Sequence, residues 1–211
     1  MGKAGQTPVL GTPGPDATKR PVCPACQRPE RACICQWVTP VAHATEVLIL
    51  QHPLEVGHVK NSAGLLQRSL AHSRVVIGET FDAAALRAAM GEPKYTVLLY
   101  PQTALSPSPI PDATRLQDTA NLRLVVLDGT WRKSRKMLHL SPPLQSLPRL
   151  SLDDMPASSY LIRKAHRPGQ LSTLEATCAA LAQLEGGLQR FQPLLEAFDG
   201  FVAQQLAFRP Q

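Results

Sequence analysis

Seven residues, Leu122-Arg-Leu-Val-Val-Leu-Asp128, constrain this chain more than any other feature, because so short and so apolar a run, stopped by Gly129, reads as a strand buried on both faces. Strands of that kind belong to parallel sheets, whose connections are helices lying on the sheet. The segments 46–51, 74–78 and 95–100 have the same character, and 147–152 and 160–162 are weaker candidates. Helical patterns fall between and after them, over 60–71, over 82–90 behind an Asp82 N-cap, and over 130–138. The capping box Ser172-Thr-Leu-Glu175 opens another helix that runs to about residue 184. A last amphipathic helix over 189–208 carries Phe191, Leu194, Leu195, Phe198, Phe201 and Val202 at core-facing intervals. The expected fold class is α/β, a mostly parallel sheet flanked by helices over 41–211, with Cys178 in its core. No G-x-G-x-x-G or Walker sequence follows a strand, which argues against an ordinary dinucleotide or P-loop fold.

In open α/β sheets, ligands lie beyond the carboxyl ends of the strands. Two predicted ends carry unusual chemistry: Leu99-Tyr100-Pro101 and Leu127-Asp128-Gly129-Thr130-Trp131. Asp128 places a carboxylate at the crevice, Gly129 allows close approach, and Thr130 caps the next helix, whose N–H groups can hold an anion. Trp131 is a stacking plate for a base, followed at once by Arg132, Lys133, Arg135 and Lys136. The plainer reading is an N-cap, a core Trp and a solvated basic face. A third group is Gln51-His52-Pro53-Leu54-Glu55, followed by Lys60-Asn61-Ser62-Ala63; His52 and Glu55, just past a strand, are expected to edge the same crevice. A loop His such as His52 is more often held by backbone than catalytic.

Four of the five cysteines, Cys23, Cys26, Cys33 and Cys35, fall within thirteen residues. The spacing C-x2-C-x6-C-x-C lets four thiolates converge on one ion, and soft sulfur donors suit Zn2+. The alternative is two disulfides. No secretory h-region precedes the cluster, so a reducing cytoplasm and a structural zinc knuckle over 21–40 are expected. The Gly- and Pro-rich stretch 1–20 is expected to be a disordered tail. No run is long and apolar enough to span a membrane.

Charge is concentrated. Between Trp131 and Arg167 stand eight basic residues, the four above with Arg149, Arg163, Lys164 and Arg167, against Asp153 and Asp154. That stretch alone accounts for the net charge of +6 and points to a phosphate-bearing partner. The segment 160–175 feeds this basic, Pro-Gly-containing loop into the Ser172 helix start, which can hold a carboxylate or serve only as a good cap.

Taken in order, the cysteine knuckle, QHPLE, KNSAGLL, LLYP, LVVLDGTWRKSRKML, LPRLSL and YLIRKAHRPGQLSTLEA resemble the DTW-domain family of tRNA-uridine aminocarboxypropyltransferases, from about Cys23 to Leu184. The resemblance implies a fold related to the knotted SPOUT methyltransferases. It also implies S-adenosylmethionine as cofactor, bound by loops corresponding to 99–105, 127–131 and 163–175. Leu99, Tyr100, Pro101, Leu127, Gly129, Thr130, Trp131, Ser172, Thr173 and Glu175 are then cofactor-facing, and Asp128 is the candidate general base for uridine N3. Asn61, Arg132, Lys133, Arg135, Lys136, Arg163, Lys164 and Arg167 are expected to face tRNA. Ser62 stands where the resemblance suggests Thr, and the helix after Leu184 is less securely matched. A methyltransferase of the same superfamily and a non-catalytic zinc-knuckle RNA-binding protein are the alternatives, and monomer and homodimer both stay open.

Overall fold

Side-chain alternation along the strands divides the core in two. The computed structural model describes residues 21–102, 108–152 and 171–207. The expected tail over 1–20, the candidate strand 160–162 and the basic Arg163, Lys164 and Arg167 lie outside the described residues. The strands are β1 (Glu46–Gln51), β2 (Ser73–Ile77), β3 (Tyr95–Leu99), β4 (Leu122–Asp128) and β5 (Arg149–Leu150). They form one sheet in the order β2-β1-β4-β3-β5, with every pairing parallel.

The helices are α1 (Ala63–Ser69), α2 (Ala83–Met90), α3 (Ala113–Gln117), α4 (Trp131–Leu140), α5 (Pro142–Gln145), α6 (Thr173–Glu185) and α7 (Leu188–Ala207). Successive strand residues point to opposite faces. Val47, Ile49, Leu124 and Val126 therefore pack against α1, α6 and α7, through Leu65, Leu66, Cys178, Leu181, Phe191 and Phe198. Leu48, Leu50, Val125 and Leu127 pack the other way, against Leu86 of α2, Met137 and Leu138 of α4 and Leu144 of α5. Apolar contact on both faces explains why these strands read as unbroken hydrophobic runs.

Three elements depart from the sequence reading. α1 begins at Ala63, not at residue 60, because the Asn61 side chain accepts the Ala63 N–H at 3.0 Å and holds the chain in a turn. α3 stands just past the proline-rich segment 101–111, which reads as a loop, where the sequence reading assigned no element; it is capped by Asp112, whose carboxylate accepts from the amides of Thr114 and Arg115. β5 shrinks to two residues at the sheet edge, behind Pro148, which has no N–H to give.

The amino ends of the strands are tied by charge. Arg123, 1% exposed, donates to both Glu46 oxygens at 2.9 and 3.1 Å, and Arg74 and Lys94 also pair with Glu46.

The cysteine segment docks on α7 through Trp37. The Trp37 indole N–H donates to Gln204 Oε1, and Gln204 Nε2 returns a bond to the carbonyl of Arg31 at 3.0 Å. Gly200 lies under the ring: a Cβ there would stand 2.2 Å from Trp37 Cζ3 and 2.5 Å from Cη2. Gly200→Ala is expected to destabilise by about 1–3 kcal/mol through overpacking, even though alanine is the better helix former. Denaturant titration with an unchanged m-value is the check.

Candidate active site and metal centre

β1 and β4 are neighbours whose crossovers part: α1 leaves toward one face of the sheet and α4 toward the other. Such a switch point opens a crevice at the carboxyl ends of the strands. Gln51 and Asp128 face each other there as register partners, the last residues of their strands.

Asp128 is 3% exposed and is held from three directions. Its Oδ2 accepts from Gln51 Nε2 at 2.8 Å and from Asn61 Nδ2 at 2.7 Å, and its Oδ1 accepts from Thr173 Oγ1 at 2.7 Å. A carboxylate offers about four acceptor positions, so three neutral donors leave about one for a ligand. Burial without hydrogen bonds would be costly, and the donors make this position tolerable.

Around Asp128 lies a cleft of about 680 Å3. That is within the range of small-molecule sites, roughly 300–1,000 Å3. Leu99, Tyr100 and Pro101 from the end of β3, Leu127 to Trp131 from the end of β4, and Ser172 and Thr173 from the start of α6 all line it. Three predicted segments, distant in sequence, are thus brought to one cavity.

Each local structure has its cause in the sequence. Thr130 Oγ1 accepts the Lys133 amide, starting α4 at Trp131. Gly129 lets that helix approach β4, since a Cβ there would stand 3.1 Å from Lys133 Cβ. Trp131 is half-exposed at the rim (49%), edge-to-face with Tyr100 at 6.1 Å between centroids. Behind Tyr100 lies the Arg149 guanidinium, 5.4 Å from the ring centre, and burial pushes the Tyr100 hydroxyl above the usual phenol range, so the ring stays neutral. Ser172 and Glu175 complete the capping box: Ser172 Oγ accepts the Glu175 amide and Glu175 Oε2 accepts the Ser172 amide.

Several expected residues serve differently. Glu175 is buried and does not line the cleft; it holds the helix start that presents Ser172 and Thr173. Asn61, expected toward RNA, lies in the cleft and donates to Asp128. Lys133 pairs with Glu55 at 2.7 Å and Lys136 with Glu79 at 2.8 Å, while Arg132 and Arg135 are exposed on the same helix. His52 is held at both ring nitrogens: Nδ1 accepts the Leu54 amide and Nε2 meets Glu79 at 3.0 Å. It caps a turn, as the plainer reading had it. Gln51 as a donor to Asp128 was not foreseen; the signal was the polar residue closing an otherwise apolar strand next to the QHPLE turn.

The four cysteine sulfurs lie within 4.8 Å of one another, with Cys23–Cys35 and Cys26–Cys33 each 3.8 Å apart. Four thiolates about 2.3 Å from one ion form a tetrahedron with edges of about 3.8 Å, so the quartet could hold a metal as it stands. A disulfide would need about 2.05 Å. All five cysteines are free thiols. Backbone N–H groups of Cys26 and Ala25 bring the Cys23 thiol down to about 6, while burial and its neighbouring thiols push Cys35 up to about 12. Clustered thiols oppose each other's ionisation, and a bound cation relieves that opposition. No described helix is long and apolar enough to cross a membrane.

The class defined so far is an α/β protein with a parallel sheet, a ligand-sized cleft at its switch point and an appended thiol quartet that could hold a metal. Residues 20–206 match the DTW domain, and the chain belongs to that family. It is 30% identical over 206 residues to tRNA-uridine aminocarboxypropyltransferase 2 of Drosophila melanogaster, covering 94% of this chain and 80% of the relative. The Mus musculus protein of that name is 29% identical, over 94% and 68% of the two chains. An Arabidopsis thaliana relative, tRNA-uridine aminocarboxypropyltransferase A, is 27% identical over 79% and 74%. No solved structure matches the chain.

Proposed function

We propose that this protein is an RNA-modifying enzyme that transfers the 3-amino-3-carboxypropyl group of S-adenosylmethionine to N3 of a uridine in tRNA. The observation that carries this reading is the convergence of the 99–101, 127–131 and 172–173 segments on one cleft around Asp128. The relatives' names supply the reaction class. When bound, S-adenosylmethionine supplies an electrophilic γ-carbon beside its sulfonium, with methylthioadenosine as leaving group.

The residues present fit such a cofactor. The aromatic pair Tyr100 and Trp131 suits an adenine or a uracil ring, and the α6 N-terminus with Ser172 and Thr173 suits an amino-acid carboxylate. Asp128, with one acceptor position left, would take the N3 proton of uridine or orient that edge of the base. Which carbon of the cofactor reacts is a matter of alignment with the departing sulfur, so the walls of the cleft decide the product. The fold is proposed to be related to the knotted SPOUT methyltransferases. Supporting this are β4 lying between β1 and β3 and the return of Thr173 against Asp128.

The knuckle is proposed to hold a structural Zn2+ on Cys23, Cys26, Cys33 and Cys35, in a cytoplasm reducing enough to keep the thiols free. Arg132 and Arg135, with Arg163, Lys164 and Arg167, are proposed to meet tRNA phosphates. Affinity for tRNA is then expected to fall steeply with salt, and each lost phosphate contact lowers the log–log slope by about 0.7–0.9. Arg132→Ala and Arg135→Ala should each flatten the slope by about that much in filter binding from 50 to 200 mM salt; a slope insensitive to both would remove these residues from the interface.

Transfer itself is tested with cofactor labelled either in its methyl group or in its carboxyl carbon. Only the carboxyl label is expected to enter tRNA. Incorporation of methyl label would make the protein a methyltransferase.

A further inference from the structure

The Arg28 side chain joins the cysteine knuckle to the candidate active site. Arg28 lies between Cys26 and Cys33, just after Gln27, whose left-handed backbone (φ 58°) closes the turn around the thiols. Cys23 and Arg28 are tied by a backbone bond of 2.8 Å, and Gln27 N–H donates to the Cys23 carbonyl at 2.8 Å. From this turn the Arg28 guanidinium reaches the loop between β1 and α1. Nη1 donates to the Val59 carbonyl at 3.0 Å and Nη2 to the Asn61 carbonyl at 2.7 Å. Its Cζ also lies over the Phe201 ring of α7, 5.6 Å from the ring centre.

Asn61 is the residue whose Nδ2 holds Asp128, while its Oδ1 receives Gln51 Nε2 at 3.3 Å and the Ala63 amide. The loop before it carries the exposed apolar side chains of Leu54, Val56 and Val59, so core burial does little to fix it. A charged fork on the carbonyls of Val59 and Asn61 is the kind of contact that does.

We propose that Arg28 is a positioning residue: the metal-closed turn holds it on the 58–61 loop, and through Asn61 it sets the placement of Asp128. This extends the proposed function by making metal occupancy of the knuckle a condition for an ordered active site. A loop displaced by about 1 Å costs on the order of 100-fold in rate where alignment governs the reaction. Arg28→Ala is therefore expected to lower kcat roughly 10- to 100-fold, with metal content and tRNA affinity kept. Arg28→Lys, which keeps the charge but loses the fork, is expected to recover only part of it.

Hydrogen–deuterium exchange gives a readout that does not depend on the enzyme reading. In the metal-loaded protein, Arg28→Ala is expected to speed exchange in the 56–62 peptide at least several-fold, leaving β1 and β4 protected. Chelating the metal from the wild type should speed the same peptide, and chelating Arg28→Ala should add little more. Unchanged exchange at 56–62 in metal-loaded Arg28→Ala would overturn the proposal. Faster exchange there in Arg28→Ala, beside a wild type that transfers nothing to tRNA, would leave the coupling standing and remove the enzyme reading.

Discussion

Asp128→Asn is expected to lower the transfer rate by about 10²–10⁴-fold, the usual worth of a general base, while leaving tRNA binding and folding nearly intact. The hydrogen-bond arrangement makes this substitution unusually clean. An amide oxygen can still accept from Gln51 and Asn61, and its NH2 can donate to the Thr173 hydroxyl, which accepts as readily as it donates. The bonds survive and the negative charge goes. If Asp128 only braces β1, β4 and α6, the variant should keep most of its activity, because the brace is preserved. Single-turnover rates at saturating cofactor separate the two results, with the melting temperature as control.

Removing the metal is expected to have the largest effect on stability. A metal on the four sulfurs would cross-link the knuckle, which docks on α7 through Trp37, Gln204 and Gly200, and on the 58–61 loop through Arg28. Structural zinc supplies roughly 10–16 kcal/mol in peptides that fold only around it. Here the α/β sheet has its own core on both faces, so only the share that docks the knuckle is lost. A cross-link closing a loop of this size is worth about 3 kcal/mol. At about 2–4 °C per kcal/mol for a chain of this length, chelation or Cys26→Ser should lower Tm by about 6–12 °C. Re-adding Zn2+ should restore the chelated protein and not the variant. A melting curve indifferent to complete metal removal would mean that the knuckle is held by packing alone.

Much of the fold was legible because the strands are buried on both faces. Val47 to Leu50 and Leu124 to Leu127 alternate between two apolar cores, so every position must be hydrophobic and the run stands out. Caps were equally plain: Asp82, Thr130 and Ser172 carry oxygens that accept the amides they were expected to accept. What sequence reasoning missed depends on long-range placement. The exception is local: Asp112 is as good a cap as Asp82, but it comes directly after the prolines at 101, 107, 109 and 111, and no helix was read behind them.

The candidate site shows the same division. Asp128, Trp131, Ser172 and Thr173 could be assigned to one cleft from strand ends and family resemblance. That Gln51 and Asn61 would spend their amides on Asp128 could not, because it follows from the β1–β4 register and from a turn at Asn61 that shortens α1. Lys133 and Lys136 read as phosphate ligands in sequence because Glu55 and Glu79, their partners, lie far away along the chain. The thiol quartet was the simplest case: its ligands are close in sequence, and the structure adds the 3.8 Å spacings.

The most direct measurement is to incubate the purified, metal-loaded protein with S-adenosylmethionine and unmodified tRNA, then examine nucleosides and small molecules by mass spectrometry. Aminocarboxypropyl-uridine formed together with methylthioadenosine is the expected result. A methylated nucleoside with S-adenosylhomocysteine, or bound tRNA with no product of either kind, would contradict it.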